Sequence, residues 1–135
     1  MSKKPLIIST DPGIDDIAAM TISLFADELD VKMIVPTWGN VSLAHTLQNT
    51  LDLENFLHTK VPVVKGANQP LVRPAISAAS VHGETGIAGF EFEKANDDLL
   101  EPGLAATKMY EAIKNSPEKV TLLGVGPLTD FALLF

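Results

Sequence analysis

Between positions 9 and 16 the chain reads Ser-Thr-Asp-Pro-Gly-Ile-Asp-Asp, which puts three carboxylates, Asp11, Asp15 and Asp16, within six residues. Like charges this close repel one another unless a cation or hydrogen-bond donors compensate them. A hard cation such as Ca²⁺ or Mg²⁺, bound through oxygen, resolves the conflict. Taken alone, the same residues also read as an Asp-Pro-Gly turn followed by the acidic first turn of a helix. The place of the segment in the fold decides between these readings.

That place follows from hydrophobic periodicity. Leu6, Ile7, Ile8 and Ser9 form a short, nearly continuous apolar run, the mark of a buried parallel strand. Asp11-Pro12-Gly13 breaks the run. From Asp15 onward Ile17, Ala18, Met20, Thr21, Leu24 and Phe25 recur at helical spacing. Residues 31–35 are the next strand. Ser42 caps a second helix running to about His58, with Leu43, Leu47, Leu51 and Phe56 toward the core. Residues 61–64 make a third strand with Pro62 near its start. Periodicity fades over residues 66–103, a stretch rich in Gly and Pro and long for a connection, so it is expected to be a functional loop. Residues 104–113 are helical, residues 120–123 form a fourth strand, and Pro127 opens another helix as a first-turn residue.

Alternation of this kind predicts an α/β fold, a doubly wound and mainly parallel sheet covered on both faces. Ligands of such sheets bind beyond the carboxyl ends of the strands, at the switch point. With a strand order beginning 3-2-1-4, strands one and four are neighbours there. Asp11 follows strand one, and Val125-Gly126 follows strand four. The Val125 carbonyl is then available to complete an oxygen shell with Asp11 and Asp16. Trp38-Gly39-Asn40 follows strand two at the same edge and offers an amide to a polar ligand. Gly124-Val125-Gly126 lacks the third glycine of a dinucleotide fingerprint, because Thr129 stands in its place.

Composition narrows the partners. The chain of 135 residues carries 10 Lys and Arg against 17 Asp and Glu, a formal charge of −7, which argues against nucleic acid or an anionic membrane. There is no cysteine, so disulfides, thiolate zinc sites and a Cys nucleophile are excluded. The apolar run after the basic start is too short for a signal-peptide core, and a cytoplasmic location is the expectation. Asn40-Val41-Ser42 matches the glycosylation acceptor pattern, but without a secretory signal it carries no weight. Alone, His82 reads as a loop histidine, and His45 and His58 as residues of the second helix.

Four motifs in order then identify a family. Asp11-Pro12-Gly13-Ile14-Asp15-Asp16 after the first strand resembles the signature of the inosine–uridine-preferring nucleoside hydrolases. Gly39-Asn40, His82-Gly83-Glu84-Thr85-Gly86 and Gly126-Pro127-Leu128-Thr129 follow in that family's order. The resemblance spans essentially the whole chain. It implies a Rossmann-like sheet and hydrolysis of the N-glycosidic bond of ribonucleosides to ribose and free base, a step in nucleoside catabolism and nucleotide salvage. It implies that Asp11 is the general base toward a water held on Ca²⁺, with Mg²⁺ the lesser candidate. It further implies that Asp11, Asp16 and the Val125 carbonyl bind the metal, that Asp15 and Asn40 hold the ribose hydroxyls, and that His82 borders the site. Anionic groups beneath the sugar suit the oxocarbenium character of such a reaction.

Two departures from the family pattern matter. Relatives often carry Asp where this chain has Ser9, which can hydrogen-bond but adds no charge. Relatives are also roughly twice as long. Their second half supplies another metal carboxylate, further ribose contacts and a histidine for the leaving base. The chain therefore reads as residues 1–135 of the N-terminal part of one hydrolase domain, with 66–103 as a loop bordering the site. It stops two turns into the apolar helix that holds Phe131, Leu134 and Phe135, which supports the same reading. The expected partner is a dimer or tetramer of itself, or a complementary C-terminal segment. The alternatives are a non-catalytic ribose- and cation-binding module and an unstable remnant with that apolar stripe uncovered.

Overall fold

The computed structural model describes residues 2–135. The elements are β1 (Lys4–Thr10), α1 (Ile14–Phe25), β2 (Leu29–Pro36), α2 (Leu43–Leu57), β3 (Val63–Val64), α3 (Ala79–His82), β4 (Leu100–Glu101), α4 (Ala105–Lys114), β5 (Thr121–Gly124) and α5 (Thr129–Leu134). The strands form one five-stranded sheet in the order β4-β3-β2-β1-β5. Every pairing is parallel. β1 lies between β2 and β5, as the expected adjacency of the first and fourth predicted strands requires. Ser9 pairs with Val35 on one side and with Gly124 on the other.

Side chains alternate along each strand and divide the core between the two faces. Ile7, Met33, Val35 and Val64 pack with Ala105 and Met109 of α4, and Phe131 and Leu134 of α5 join them. Ile34 packs on the opposite face with Met20 of α1 and Leu53 of α2. Ile7, Met20, Ile34 and Met109 are fully buried. Each such side chain contributes roughly 1.5–3 kcal/mol relative to an exposed one. Phe131 and Leu134 thus find a partner within the chain, whereas Phe135 is exposed.

Several expectations are corrected. The long 66–103 segment is not uniformly loop. It carries α3 and the two-residue β4, which pairs with β3 through Val63↔Leu100 and Val64↔Glu101. The third strand is shorter than residues 61–64, although the Pro62 carbonyl still accepts the Ile34 amide at 3.0 Å. Phe56 does not face the core. It is exposed and packs edge-on against Phe92 at 5.3 Å and Phe90 at 6.0 Å, an aromatic cluster supplied by the loop after α3. Pro127 precedes α5 instead of opening it, because Leu128 occupies the N-cap position.

α2 is unusual for a helix packed on a sheet, since it buries Thr46, Asn49, Thr50, Asp52 and Glu54. Buried polar groups need partners, and these find them in loops. Asp52 accepts the Ala95 amide at 2.8 Å and pairs with Lys94 at 3.2 Å. Glu54 Oε2 accepts the Val61 amide at 3.0 Å, while its Oε1 is buried with no partner among the described residues. Burial pushes the Glu54 carboxyl up, and the Val61 and Thr59 hydrogen bonds only partly offset it. A carboxyl raised on folding binds its proton more tightly in the native state. Its contribution to stability is therefore present below the unfolded carboxyl range and is lost as pH rises through the folded value. Glu54→Gln is expected to stabilise the chain by about 1 kcal/mol at pH 8 and by less at pH 5, read by urea unfolding at both. A gain that does not grow with pH would contradict this account.

Candidate functional site

β1 delivers the signature segment to the carboxyl edge of the sheet. Gly13 is the N-cap of α1, and Asp16 occupies the third helical position. That spacing turns the Asp16 side chain back into the turn, where Oδ1 accepts the Thr10 hydroxyl at 2.7 Å and Oδ2 accepts the Gly13 amide at 3.3 Å. Asp16 is buried in consequence. Asp11 is buried beside it. Its Oδ2 accepts the Asn40 amide at 2.8 Å, and its carbonyl accepts Asn40 Nδ2 at 2.9 Å. Among the described residues, Asp11 Oδ1 accepts no hydrogen bond.

Two glycines hold the Asp11 carboxylate from either side. A Cβ at Gly39, in the loop after β2, would land on the carboxylate itself. A Cβ at Gly126, in the turn after β5, would lie 2.7 Å from Oδ1. The Val125 amide donates to the Ser9 carbonyl at 3.0 Å, which fastens that turn to the end of β1. His82, on the last residue of α3, lies over the signature turn, with Nδ1 2.9 Å from where a Gly13 Cβ would stand. The loops after β1, β2 and β5 and the end of α3 thus converge on one point.

The structure brings together Asp11, Asp16, Asn40, His82 and the Val125-Gly126 turn. Asp15 is exposed while Asp11 and Asp16 are buried, and its charge acts on both of them. Among the described residues no three His, Asp or Glu side chains form a group suited to a metal ion. Asn40 differs from a free ligand-binding amide, because its Nδ2 already holds the Asp11 carbonyl.

The electrostatics follow from burial. Desolvation pushes the Asp11 carboxyl up to about 6, with the Asp16 and Asp15 charges adding to it and the Asn40 amide opposing it. Asp16 is also raised, by burial first and by Asp15 after it, while the Thr10 hydroxyl and the Gly13 amide pull the other way. Ser9 is fully buried one step before Thr10, and its hydroxyl has no partner among the described residues. By strand alternation Ser9 shares the Ile7 face, where the neighbours are apolar side chains of α4 and α5.

Further residues hold the site without being visible in its motifs. Asp130 is buried and takes the Ala67 amide with both carboxylate oxygens, at 2.9 and 3.1 Å. Trp38 Nε1 donates to the Thr129 hydroxyl at 3.0 Å, and the Trp38 amide donates to the Ala67 carbonyl at 3.0 Å. The Gly126-Pro127-Leu128-Thr129 motif thus continues into a clamp that ties α5 to the loops after β2 and β3. Asn49 of α2 reaches both the signature turn and the His82 segment, donating to the Pro12 carbonyl at 3.4 Å and to the Thr85 carbonyl at 2.7 Å. A cleft of about 520 Å³ lies beyond Trp38, walled by Leu71, Val72, Ile76 and Leu128. It is almost wholly apolar, does not reach Asp11, and holds only Arg73 as a charged group.

Comparison with known proteins agrees with this geometry. The sequence model of the family described as inosine-uridine preferring nucleoside hydrolase matches residues 6–135. A protein of Klebsiella pneumoniae named non-specific ribonucleoside hydrolase RihC is 46% identical over 131 residues, which is 96% of this chain and 42% of that relative. Its namesake in Escherichia coli is 44% identical over the same shares. Among solved structures, a purine-preferring ribonucleoside hydrolase from Gardnerella vaginalis superposes with a TM-score of 0.89 at 26% identity, covering 97% of this chain and 43% of that one. A plant nucleoside hydrolase gives 0.89 at 29% identity, covering 98% and 42%. The chain therefore spans well under half the length of these relatives. By the family match across nearly all its residues, the chain belongs to the inosine-uridine preferring nucleoside hydrolases.

Proposed function

We propose that this chain carries the Asp11 half of a site that hydrolyses the N-glycosidic bond of ribonucleosides, giving ribose and the free base. The observation that carries the reading is the Asp11 carboxylate: buried, wedged between Gly39 and Gly126, held by Asn40, and with one oxygen unclaimed among the described residues. A base placed this way is oriented before substrate arrives, which lowers the cost of reaching the reactive geometry. Before any cation binds, burial holds this carboxyl up at about 6, which leaves it largely ionised at neutral pH.

The donors present suit a hard cation. Asp11 and Asp16 are paired, buried, acidic and oxygen-only, and both are raised by burial, a cost that a divalent cation would remove. Asp11, Asp16 and the Val125 carbonyl would hold it, with Ca²⁺ preferred to Mg²⁺. When bound, the cation supplies Lewis acidity toward the attacking water and the ribose diol. Asp11 accepts the proton of that water. Asn40 Oδ1, which accepts no hydrogen bond among the described residues, would take a ribose hydroxyl, and exposed Asp15 another. The carboxylates also favour the positive charge that develops on the sugar as the C–N bond breaks. His82 borders the pocket over the Gly13 turn.

The substrate is a small ribonucleoside, and the site is completed either by a C-terminal segment or within an oligomer. No helix among the described residues is long and apolar enough to cross a membrane, and the family's reaction fits a cytoplasmic role in nucleoside salvage. A second reading is a cation- and ribose-binding module without turnover. It is favoured by the absence of a three-ligand cluster among the described residues and by the 42% coverage of relatives.

Release of free base from uridine and inosine, measured by absorbance, is expected to be lost with chelator and restored by Ca²⁺. Retention of activity after complete chelation would refute the cation's part. Asp11→Asn is expected to lower kcat by about 100- to 10,000-fold with the fold intact, the range for a lost general base. Gly39→Ala, which forces Asp11 out of its seat, is expected to lower kcat by about 100-fold, and equal activity in either variant would argue against Asp11. No release by a folded chain that still binds Ca²⁺ would favour the non-catalytic module.

A further inference from the structure

Asn49 lies in the middle of α2, a position where asparagine is a poor helix former, and it is almost fully buried. The sheet does not need it. Its amide reaches away from the sheet to two loops that are far apart in sequence. Nδ2 donates to the Thr85 carbonyl at 2.7 Å and, more weakly, to the Pro12 carbonyl at 3.4 Å. One carbonyl belongs to the signature turn and the other to the segment that carries His82.

A second connection closes the other end of that segment. The Asn40 carbonyl accepts the Ala78 amide at 2.8 Å and the Ser77 hydroxyl at 3.3 Å, while the Asn40 side chain holds the Asp11 carbonyl. α3 and His82 are therefore suspended between two asparagines, each bound to the signature turn as well. Gly86 lets the Asn49 connection close. Its φ of +85° falls in the left-handed region, and a Cβ there would come within 3.2 Å of the Pro12 carbonyl and 3.3 Å of Asn49 Nδ2. The arrangement brings the backbone of the segment close to the signature turn at this point.

We propose that Asn49 is a positioning residue, whose amide holds the His82 segment closed over the Asp11-Pro12-Gly13 turn. It touches neither sugar nor base; it acts through His82. The inference deepens the hydrolase reading and rests on it only for what His82 then does. The placement itself stands on the hydrogen bonds. Only a donor suits this site, because both groups facing it are carbonyl oxygens. A side chain of equal size that lacks the donor leaves both carbonyls unpaired and adds repulsion.

The test is Asn49→Asp in this chain, read by amide hydrogen exchange and by the ring signals of His82 in NMR spectra. The expected result is exchange about tenfold or more faster at the His82, Gly83, Gly86 and Ala88 amides. The His82 ring signals move, and the amides of β1 and β2 keep their protection. A purely structural role would lower protection throughout or leave the His82 ring unmoved, and either result overturns the proposal, as does unchanged exchange. Asn49→Ser keeps one donor and is the second variant. It is expected to give an intermediate loss confined to the same amides, and wild-type protection there would overturn the proposal even where Asn49→Asp does not fold. Neither readout needs turnover. Absence of nucleoside hydrolysis would therefore count against the hydrolase reading and leave this one standing.

Discussion

Asp11 sits where the loops from three adjacent parallel strands run into one another, and most of the molecule is arranged around the need to bury its charge. Parallel strands all end at the same edge, so the loops after β1, β2 and β5 crowd there. Gly39 and Gly126 are the residues that let the backbones come close enough to confine a carboxylate between them. Burying an anion is costly unless hydrogen bonds or a cation compensate. The Asn40 amide compensates only partly, which leaves Asp11 raised to about 6. That residual cost favours a cation, a proton, or a substrate able to share one.

The supports of that point come largely from polar groups inside the fold. α2 would be an ordinary amphipathic helix if its buried face were apolar. Instead Thr46 donates to the Thr37 carbonyl, Asn49 to two loop carbonyls, and Asp52 takes the Ala95 amide. Asp130 does the same from α5, seizing the Ala67 amide. Helices on both faces of the sheet therefore fix the loops at its edge. The sheet supplies rigidity, and these hydrogen bonds transfer it to segments that have little regular structure of their own.

What could be read in the sequence is what is local. The strand-turn-helix at residues 6–25, the alternation of strand and helix, and the meeting of the Asp11 and Val125 turns follow from period, turn chemistry and the rules for parallel sheets. Gly39-Asn40 is placed by following the second strand, whereas His82-Gly83 stands out only through the family resemblance; the structure carries the first to Asp11 and His82 to Gly13. The rest depends on contacts distant in sequence. Asn49 reads as one more polar residue on a helix until its partners, 36 and 37 residues away, are in place. β4 is two residues long, too short for any period. Phe56 has helical spacing that points it inward, but Phe90 and Phe92 draw it to a surface cluster. The divergence of Asp15 from Asp16 is set by which of them can reach back to Thr10 and Gly13, a matter of helix phase that a count of carboxylates does not contain.

Trp38 is the only tryptophan in the chain, and its indole N–H is bonded to the hydroxyl of Thr129. Its backbone neighbour Gly39 is the residue pressed against Asp11. The chain thus contains a single indole, attached at one end to the helix that clamps the loops and at the other to the loop that seats the carboxylate. Its emission has no competing tryptophan signal. The wavelength and intensity of that emission register whether α5 is docked, and the optical behaviour of the whole chain becomes a report on one corner of the sheet.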